Sequence, residues 1–267
     1  MNDVAGKTIW ITGASAGIGK GLALALAAHG ARLVLSGRNQ AALEAVAHDC
    51  PGSIVEAFEA TDIDSLPAIA ARAAAATGGI DWLVNNAGIS QRSLGLDTDF
   101  SVYRTLMEVD FFAPLRLTQL VLPAMVARGS GRIVNNASVA GKVGSPLRTG
   151  YCAAKHALVG WSDALRAEIA QYGVQVHVLT PGFVATGIGA NALTGDGGQK
   201  GAGNDPVDAG ISIHEAAQQI IAGITANRPE IAVGREGAAE MQLLGLKRHD
   251  PDACFQLMAG MAPKVAR

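Results

Sequence analysis

Two hydrophobic periods alternate along the chain from its first residues. Positions 7–13 (KTIWITG) form a short β-rich run, and 17–29 follow with alanine and leucine at helical spacing. The alternation repeats as a strand-like 32–36, a helical 40–48, a strand-like 54–58, an alanine-rich helical 66–76 and an apolar strand at 80–85. A long helical stretch covers 100–127, then a strand at 132–135, a helix at 151–171 and a strand at 174–179. These strands are apolar on both faces, the mark of a parallel sheet covered by helices on its two sides. The pattern predicts an α/β fold: a Rossmann-like, doubly wound parallel sheet in a three-layer α/β/α arrangement, as a single domain over 1–267.

The rhythm breaks at 187–210, which is rich in Gly, Asn, Asp and Thr and long for a connection inside a compact domain. Such loops usually serve function, so a substrate loop is expected over about 187–212, acting as a mobile lid on an apolar pocket with Ile188 and Leu193 turned inward. Ser212, with Glu215 three residues on, signals a capping box and a helix over 212–226. A last strand is expected at 230–233 and a helical tail over about 235–267, broken near Pro251.

Composition narrows the partners. Of the 267 residues 49% are hydrophobic and 16% charged, which suits a large buried core. Net charge is −2 and the basic residues are scattered, so no nucleic-acid partner is expected. Cys50, Cys152 and Cys254 are odd in number and far apart, as free thiols in a reducing compartment are. No cluster of His, Cys or carboxylates has metal-ligand spacing, so no metal is expected. The first six residues carry no basic region before an apolar stretch, and the longest apolar runs are broken short of the roughly 18 residues that span a bilayer. A cytoplasmic protein without a membrane partner is expected.

The first strand runs into Thr12-Gly13-Ala14-Ser15-Ala16-Gly17-Ile18-Gly19 and then a helix. Glycine lets the backbone turn sharply and approach a pyrophosphate, while the helix offers free N–H groups and its positive end. Gly13, Ser15, Ala16, Gly17, Ile18 and Gly19 are therefore candidate phosphate contacts, an ordinary glycine-rich loop being the alternative. The second strand ends Ser36-Gly37-Arg38, with no acid between 32 and 38 where NAD-selective folds carry one for the ribose hydroxyls. Gly37 leaves room and Arg38 suits a 2′-phosphate, which points to NADP(H).

Tyr151 and Lys155 lie four apart at the start of a predicted helix, on one face. A neighbouring ammonium favours the phenolate and lowers the phenol's usual value near 10, which suits proton exchange with an alcohol or carbonyl near neutral pH. Ser138 ends a strand at the edge where open α/β sheets bind ligands, so its hydroxyl is placed to donate to a substrate oxygen, a cap or turn role being the alternative. His156 points about 100° away from Lys155 around the helix and is read as structural, as is Cys152. Arg92 and Arg148 fall near the same cleft; an anionic substrate would use them, and solvation at the surface is the simpler reading.

In this order the motifs resemble the short-chain dehydrogenase/reductase family, in its compact single-domain branch, over about 7–186. The resemblance rests on TGASAGIG at 12–19, Thr61-Asp62-Ile63, Asn85-Asn86-Ala87-Gly88, the set Ser138, Tyr151 and Lys155, and Pro181-Gly182-Phe183-Val184-Ala185-Thr186. It implies that Asp62 and Ile63 meet the adenine, that Asn86, Ala87 and Gly88 contact the cofactor and brace the sheet, and that Pro181, Gly182, Val184 and Thr186 border the nicotinamide. It also implies that Tyr151 is the general acid/base, that Ser138 orients the substrate oxygen, and that Lys155 binds the nicotinamide ribose and lowers the Tyr151 pKa. Asp110 stands where the family has an Asn in a proton relay; it is expected to keep the relay by holding a water with its backbone carbonyl, a direct carboxylate–Lys155 pair being the alternative.

The segments 191–197 and 213–217 resemble the hydroxysteroid-dehydrogenase-like and dehydrogenase/reductase member seven subgroup, whose members often carry an N-terminal membrane anchor. This chain starts at its first strand, so none is expected. The resemblance implies an NADP-dependent oxidoreductase that interconverts a secondary alcohol and a carbonyl on a small molecule by direct hydride transfer. It also implies a homodimer through 100–127 and 151–171, with a tetramer as second option. A non-catalytic nucleotide-binding regulator on the same fold is one alternative. An acyl-thioester ketoreductase, with Arg128 and Arg132 to meet an acidic carrier, is another.

Overall fold

The computed structural model describes residues 4–263. Seven strands, β1 (Thr8–Thr12), β2 (Arg32–Gly37), β3 (Ile54–Ala57), β4 (Trp82–Asn85), β5 (Gly131–Asn136), β6 (Val174–Pro181) and β7 (Glu230–Val233), pair in parallel in the order β3-β2-β1-β4-β5-β6-β7. The winding reverses between β1 and β4. A crevice opens there at the carboxyl ends of the strands, where doubly wound folds hold their ligands.

Period-2 alternation in the strands builds the two cores. Ile9 and Ile11 turn to one face, where they pack with Leu22 and Leu26 of α1 (Gly17–Ala28), Leu43 of α2 (Gln40–His48) and Ile220 and Ile224 of α7 (Ile213–Thr225). Trp10 turns to the other, against Leu66 and Ile69 of α3 (Leu66–Thr77), Leu117 of α5 (Ala113–Arg128) and Leu165 of α6 (Thr149–Ile169). The buried indole donates to Ser36 Oγ at 2.9 Å, so burial leaves no orphan donor. The expected capping box forms on α7: Glu215 N donates to Ser212 Oγ and Ser212 N to Glu215 Oε2, each at 3.1 Å.

The stretch read as one helix over 100–127 is a rod of three parts: α4 (Phe100–Met107), a π-helical turn (Glu108–Phe112) and α5. Hydrophobic spacing did not show the wider turn, because apolar residues continue through it. The sequence reading also placed no bilayer-length apolar stretch on the chain. Phe100–Arg128 is one by length and composition, with a mean hydropathy of 1.3, and Val109, Ala113, Leu117, Val121 and Met125 bury its inner face in the core.

The tail folds as α8 (Ala239–His249) and α9 (Pro251–Met261), with Pro251 opening α9 and Asp250 Oδ1 accepting from Ala253 N at 2.9 Å. Cys254 packs back on Val139 and Val143, beside the end of β5, and Met258 is buried at the cavity wall. Positions 264–267 of the expected tail, and positions 1–3, lie outside the described residues. The 187–212 loop is stitched to the body: Arg92 N donates to Leu193 O and Leu193 N to Ser90 O, both at 2.8 Å, and Val184 bridges Ile211.

Candidate active site

At the glycine turn, Gly13 and Gly17 have φ of +65° and +54°, in the left-handed region that disfavours a side chain. A Cβ on Gly13 would sit 2.8 Å from Ala87 Cα, and one on Gly19 would sit 2.3 Å from Gly13 O. The turn is thus drawn tightly against the segment after β4. Asn86 locks it there, its Nδ2 donating to Thr12 O at 2.9 Å and Gly13 O at 3.3 Å while its Oδ1 accepts from Asn136 Nδ2 at 2.8 Å. Thr12 Oγ1 accepts from Asn86 N and Ala87 N, each at 3.0 Å. The Asn86 side chain therefore serves the protein's own backbone. The α1 N-terminus has no side-chain cap and no acid in its first turn, so its positive end is left for an anion; the turn fits a dinucleotide pyrophosphate.

Arg38 stands exposed just past β2, its Nη1 3.9 Å from Glu59 Oε2, with the side chains 66% and 44% exposed. That pair is solvent-screened and weak. Glu59 comes in from the segment after β3, so no pattern within 32–38 signals it. Asp62 is exposed and its N donates to Glu59 O at 3.1 Å, while Ile63 packs on the core. Pro181 ends β6, and with Gly182, Val184 and Thr186 just past it lines a cavity of about 400 Å³ together with Ile18, Ser138 and Tyr151.

The start of α6 is fixed by a residue with no local sequence signal. Gln91 is fully buried, its Oε1 accepts from Gly150 N at 2.7 Å, and its Nε2 donates to Ser93 Oγ and Thr98 Oγ1 at 3.0 and 3.1 Å. A Cβ on Gly150 would meet Leu106 at 2.7 Å, so α6 seats directly on α4. This seating brings Tyr151 and Lys155 to one face, with Lys155 Nζ 5.7 Å from the centre of the Tyr151 ring. Lys155 Nζ donates to Asn136 O at 3.0 Å and faces Asp110 Oδ1 at 3.5 Å. Ser138 takes the cap role, its Oγ accepting from Ala140 N at 3.1 Å at the head of a short turn, and it also borders the cavity.

Burial pushes the Tyr151 phenol above its ordinary value. Lys155 and a hydrogen bond from Ser138 pull it down, and Asp110 pushes it up. The expected lowering by Lys155 is therefore present but outweighed by burial in the protein alone. Asp110 is 0% exposed within the π turn; Oδ1 accepts from Ile89 N at 3.0 Å and Oδ2 has no partner among the described residues. Burial drives its carboxyl up to about 6 against the pull of Lys155. The direct carboxylate–lysine pair is the arrangement the side chains adopt, and Gly88 makes it sterically possible: a Cβ there would lie 2.6 Å from Asp110 Oδ1.

Two further readings change. Arg92 is not a solvated cation: its side chain is 11% exposed and ion-pairs with Asp205 at 2.8 Å. Leu193 does not line the cavity; it packs on the cluster of Val102 and Leu106, while Ile188 does face the cavity. His156 is exposed and bonds Cys152 O at 2.8 Å, within its own helix. Among the described residues no group of three or more metal-ligating side chains gathers.

The short chain dehydrogenase family model matches residues 7–196. Dehydrogenase/reductase SDR family member 7B of Danio rerio is 36% identical over 268 residues, covering 97% of this chain and 86% of the relative. Dehydrogenase/reductase SDR family protein 7-like of Drosophila melanogaster is 35% identical, covering 99% and 83%. A short-chain dehydrogenase structure from Streptomyces avermitilis superposes with a TM-score of 0.82 at 26% identity, covering 96% of this chain and 98% of that one. One from Burkholderia cenocepacia J2315 in complex with NADP gives 0.79 at 25% with the same coverage. One from Burkholderia phymatum in complex with NAD gives 0.82 at 23%, covering 100% and 99%, a likeness of fold.

Proposed function

The chain belongs to the short-chain dehydrogenase family, and we propose that it is an NADP(H)-dependent oxidoreductase interconverting a secondary alcohol and a carbonyl on a small molecule. The observation that carries this reading is the convergence of Ser138 and Tyr151 on one cavity that Pro181, Gly182, Val184 and Thr186 also line, with Ser138 Oγ 3.4 Å from Pro181 O and Lys155 close behind the phenol. The dinucleotide, when bound, supplies or accepts the hydride. The pyrophosphate would rest on the 13–19 turn, the adenosine end near Arg38, Asp62 and Ile63, and the nicotinamide end by Val184 and Thr186.

In reduction the Tyr151 phenol gives its proton to the substrate oxygen; in oxidation the phenolate takes one. Ser138 donates a hydrogen bond to the same oxygen and fixes its place. Lys155, tethered to Asn136 O, offsets the burial cost of the phenolate, and Asp110 moderates that help. Preference for the phosphorylated cofactor is supported by Gly37 and Arg38, with Glu59 as a competing anion that a 2′-phosphate must displace.

NADPH and NADH oxidation against a panel of ketones and aldehydes tests the proposal. Turnover of a carbonyl with NADPH bound more tightly than NADH supports it. Tight nucleotide binding with no turnover would favour a regulator instead. The carrier-docking alternative loses its basis, because Arg128 donates to Ile80 O and Arg132 stacks on Trp82, at the strand edge opposite Ser138. We also propose a homodimer through α5 and α6, supported by exposed Phe112 and Tyr172 at that face, and a cytoplasmic location, supported by three buried free thiols.

A further inference from the structure

Two arginines enter the cavity wall beside Tyr151, and only one is neutralised. Arg92 gives Asp205 Oδ2 two hydrogen bonds, of 2.8 Å from Nη2 and 3.1 Å from Nε, and its Nη1 donates to Ser90 Oγ and Gln91 O. Asp205 is fully committed: its side chain is 2% exposed, Oδ1 accepts from Val207 N, and Lys200 Nζ stands 3.8 Å from Oδ2. Glu240, an acid in the cavity lining, has its Oε1 on Phe183 N at 3.4 Å and makes no ion pair with either arginine.

Arg148 has no such partner. Among the described residues no carboxylate lies within ion-pair distance of its guanidinium and no acceptor within hydrogen-bonding distance. Burial and the charge of Arg92 work against its ionised form; Tyr151, Asp205 and Cys152 favour it only through space, and Asp205 already holds Arg92. A guanidinium held in these conditions is costly unless an anion completes it. The backbone beside it is also strained: Leu147 adopts φ of +65°, a conformation that leucine disfavours, and its carbonyl is held by Ser93 N at 3.1 Å. An apolar stretch of the wall is made by Val143, Ile188, Val207, Leu243, Leu257 and Met258, with Ser90, Asn136, Ser145 and Thr186 as uncharged polar neighbours.

We infer that the substrate is an amphipathic carbonyl or alcohol bearing an acidic group, a carboxylate or a phosphate, that pairs with Arg148 while its apolar part lies against α8 and α9. Arg148 is the cap residue of α6, lines the same cavity as Tyr151 and acts on its phenol through its charge, so the acid is expected a few bonds from the reacting carbon rather than at the far end of the molecule. The planar fork of the guanidinium suits either acid as a two-point contact. This inference rests on the oxidoreductase reading for its reacting carbon but not for its anion contact.

Calorimetry on the full chain loaded with NADP+ tests the contact directly, with octanoate, octyl phosphate and 1-octanol as probes. At least one anion should bind about ten- to a hundredfold tighter than the alcohol, and the tighter of the two identifies the acid. Arg148→Gln should remove that preference, and Arg148→Lys should keep part of it. Octanol binding as tightly as both anions, or a preference that survives in Arg148→Gln, overturns the inference. If Arg148→Gln does not fold, an undiminished preference in Arg148→Lys together with no salt dependence overturns it as well. Reduction of 4-oxononanoate and its methyl ester separates the two claims. Equal turnover of acid and ester leaves the oxidoreductase standing and sinks the anion site. An octanoate preference without turnover of any carbonyl sinks the oxidoreductase and leaves the anion site.

Discussion

At Asp110 a fully buried carboxyl lies between the Ile89 amide and the Lys155 ammonium, and burial raises it from 3.8 to about 6. A group whose folded value lies above its unfolded one stabilises the fold below the unfolded value and loses that contribution as pH rises through the folded value. The protein should therefore lose stability from about pH 4 to pH 6 relative to Asp110→Asn, which has no proton to lose there. Urea unfolding of both across that range checks it; parallel curves count against an ionising Asp110. The same variant removes a charge that holds the Tyr151 phenol up, so its alcohol-oxidation profile should move to lower pH. At Arg38, replacement by Ala should weaken NADPH by about 1.5–3 kcal/mol, the range for hydrogen bonds to charged groups, and leave NADH nearly unchanged. Titration with both cofactors reads this, and an equal loss for both would remove Arg38 from the 2′-phosphate.

Among the elements, the glycine turn and the sheet were legible in the sequence because their signals are local. A strand of alternating or continuous apolar residues, a glycine turn and a capping box each occupy a few consecutive positions. The π turn escaped because it adds one residue to a helical turn inside a stretch where apolar residues keep recurring at close to helical spacing on both sides of it. Gln91 and Asp205 escaped for a different reason: their partners Gly150 and Arg92 are 59 and 113 residues away, and neither contact leaves a pattern. Tyr151, Lys155 and Ser138 were legible as a set, through family resemblance and spacing together. The tail was legible as helix, but not as part of the cavity wall, which depends on how α8 and α9 fold back. The glycine turn also offers a test at this scale. In Gly19→Ala the new Cβ would lie 2.3 Å from Gly13 O, so the turn must shift. Overpacking of this kind costs about 1–3 kcal/mol, and nucleotide affinity should fall with it. A thermal melt and a cofactor titration check both; wild-type values in each would show that the tight turn is not what positions the pyrophosphate.

For the whole molecule, one topological fact gathers the chemistry. Because all the strands run parallel, the 13–19 turn, Asn86, Ser138 and the 181–186 segment emerge at the same edge, and the reversal of winding between β1 and β4 opens a crevice there. Residues far apart in the chain thereby share one cavity, with the Arg92–Asp205 pair tying the 187–212 loop beside it. Phe112, at the start of α5, and Tyr172, just past α6, remain 42% and 45% exposed, so light scattering at micromolar concentration should report a dimer; a monomer would remove α5 and α6 as a contact. The central claim is that Tyr151 moves the proton. Steady-state NADPH-dependent carbonyl reduction by the wild type and Tyr151→Phe, each with its NADPH affinity measured, tests it most directly. The expected result is a fall in kcat of about 10²–10⁴ with NADPH still bound. A Tyr151→Phe protein that turns over at the wild-type rate would contradict the account.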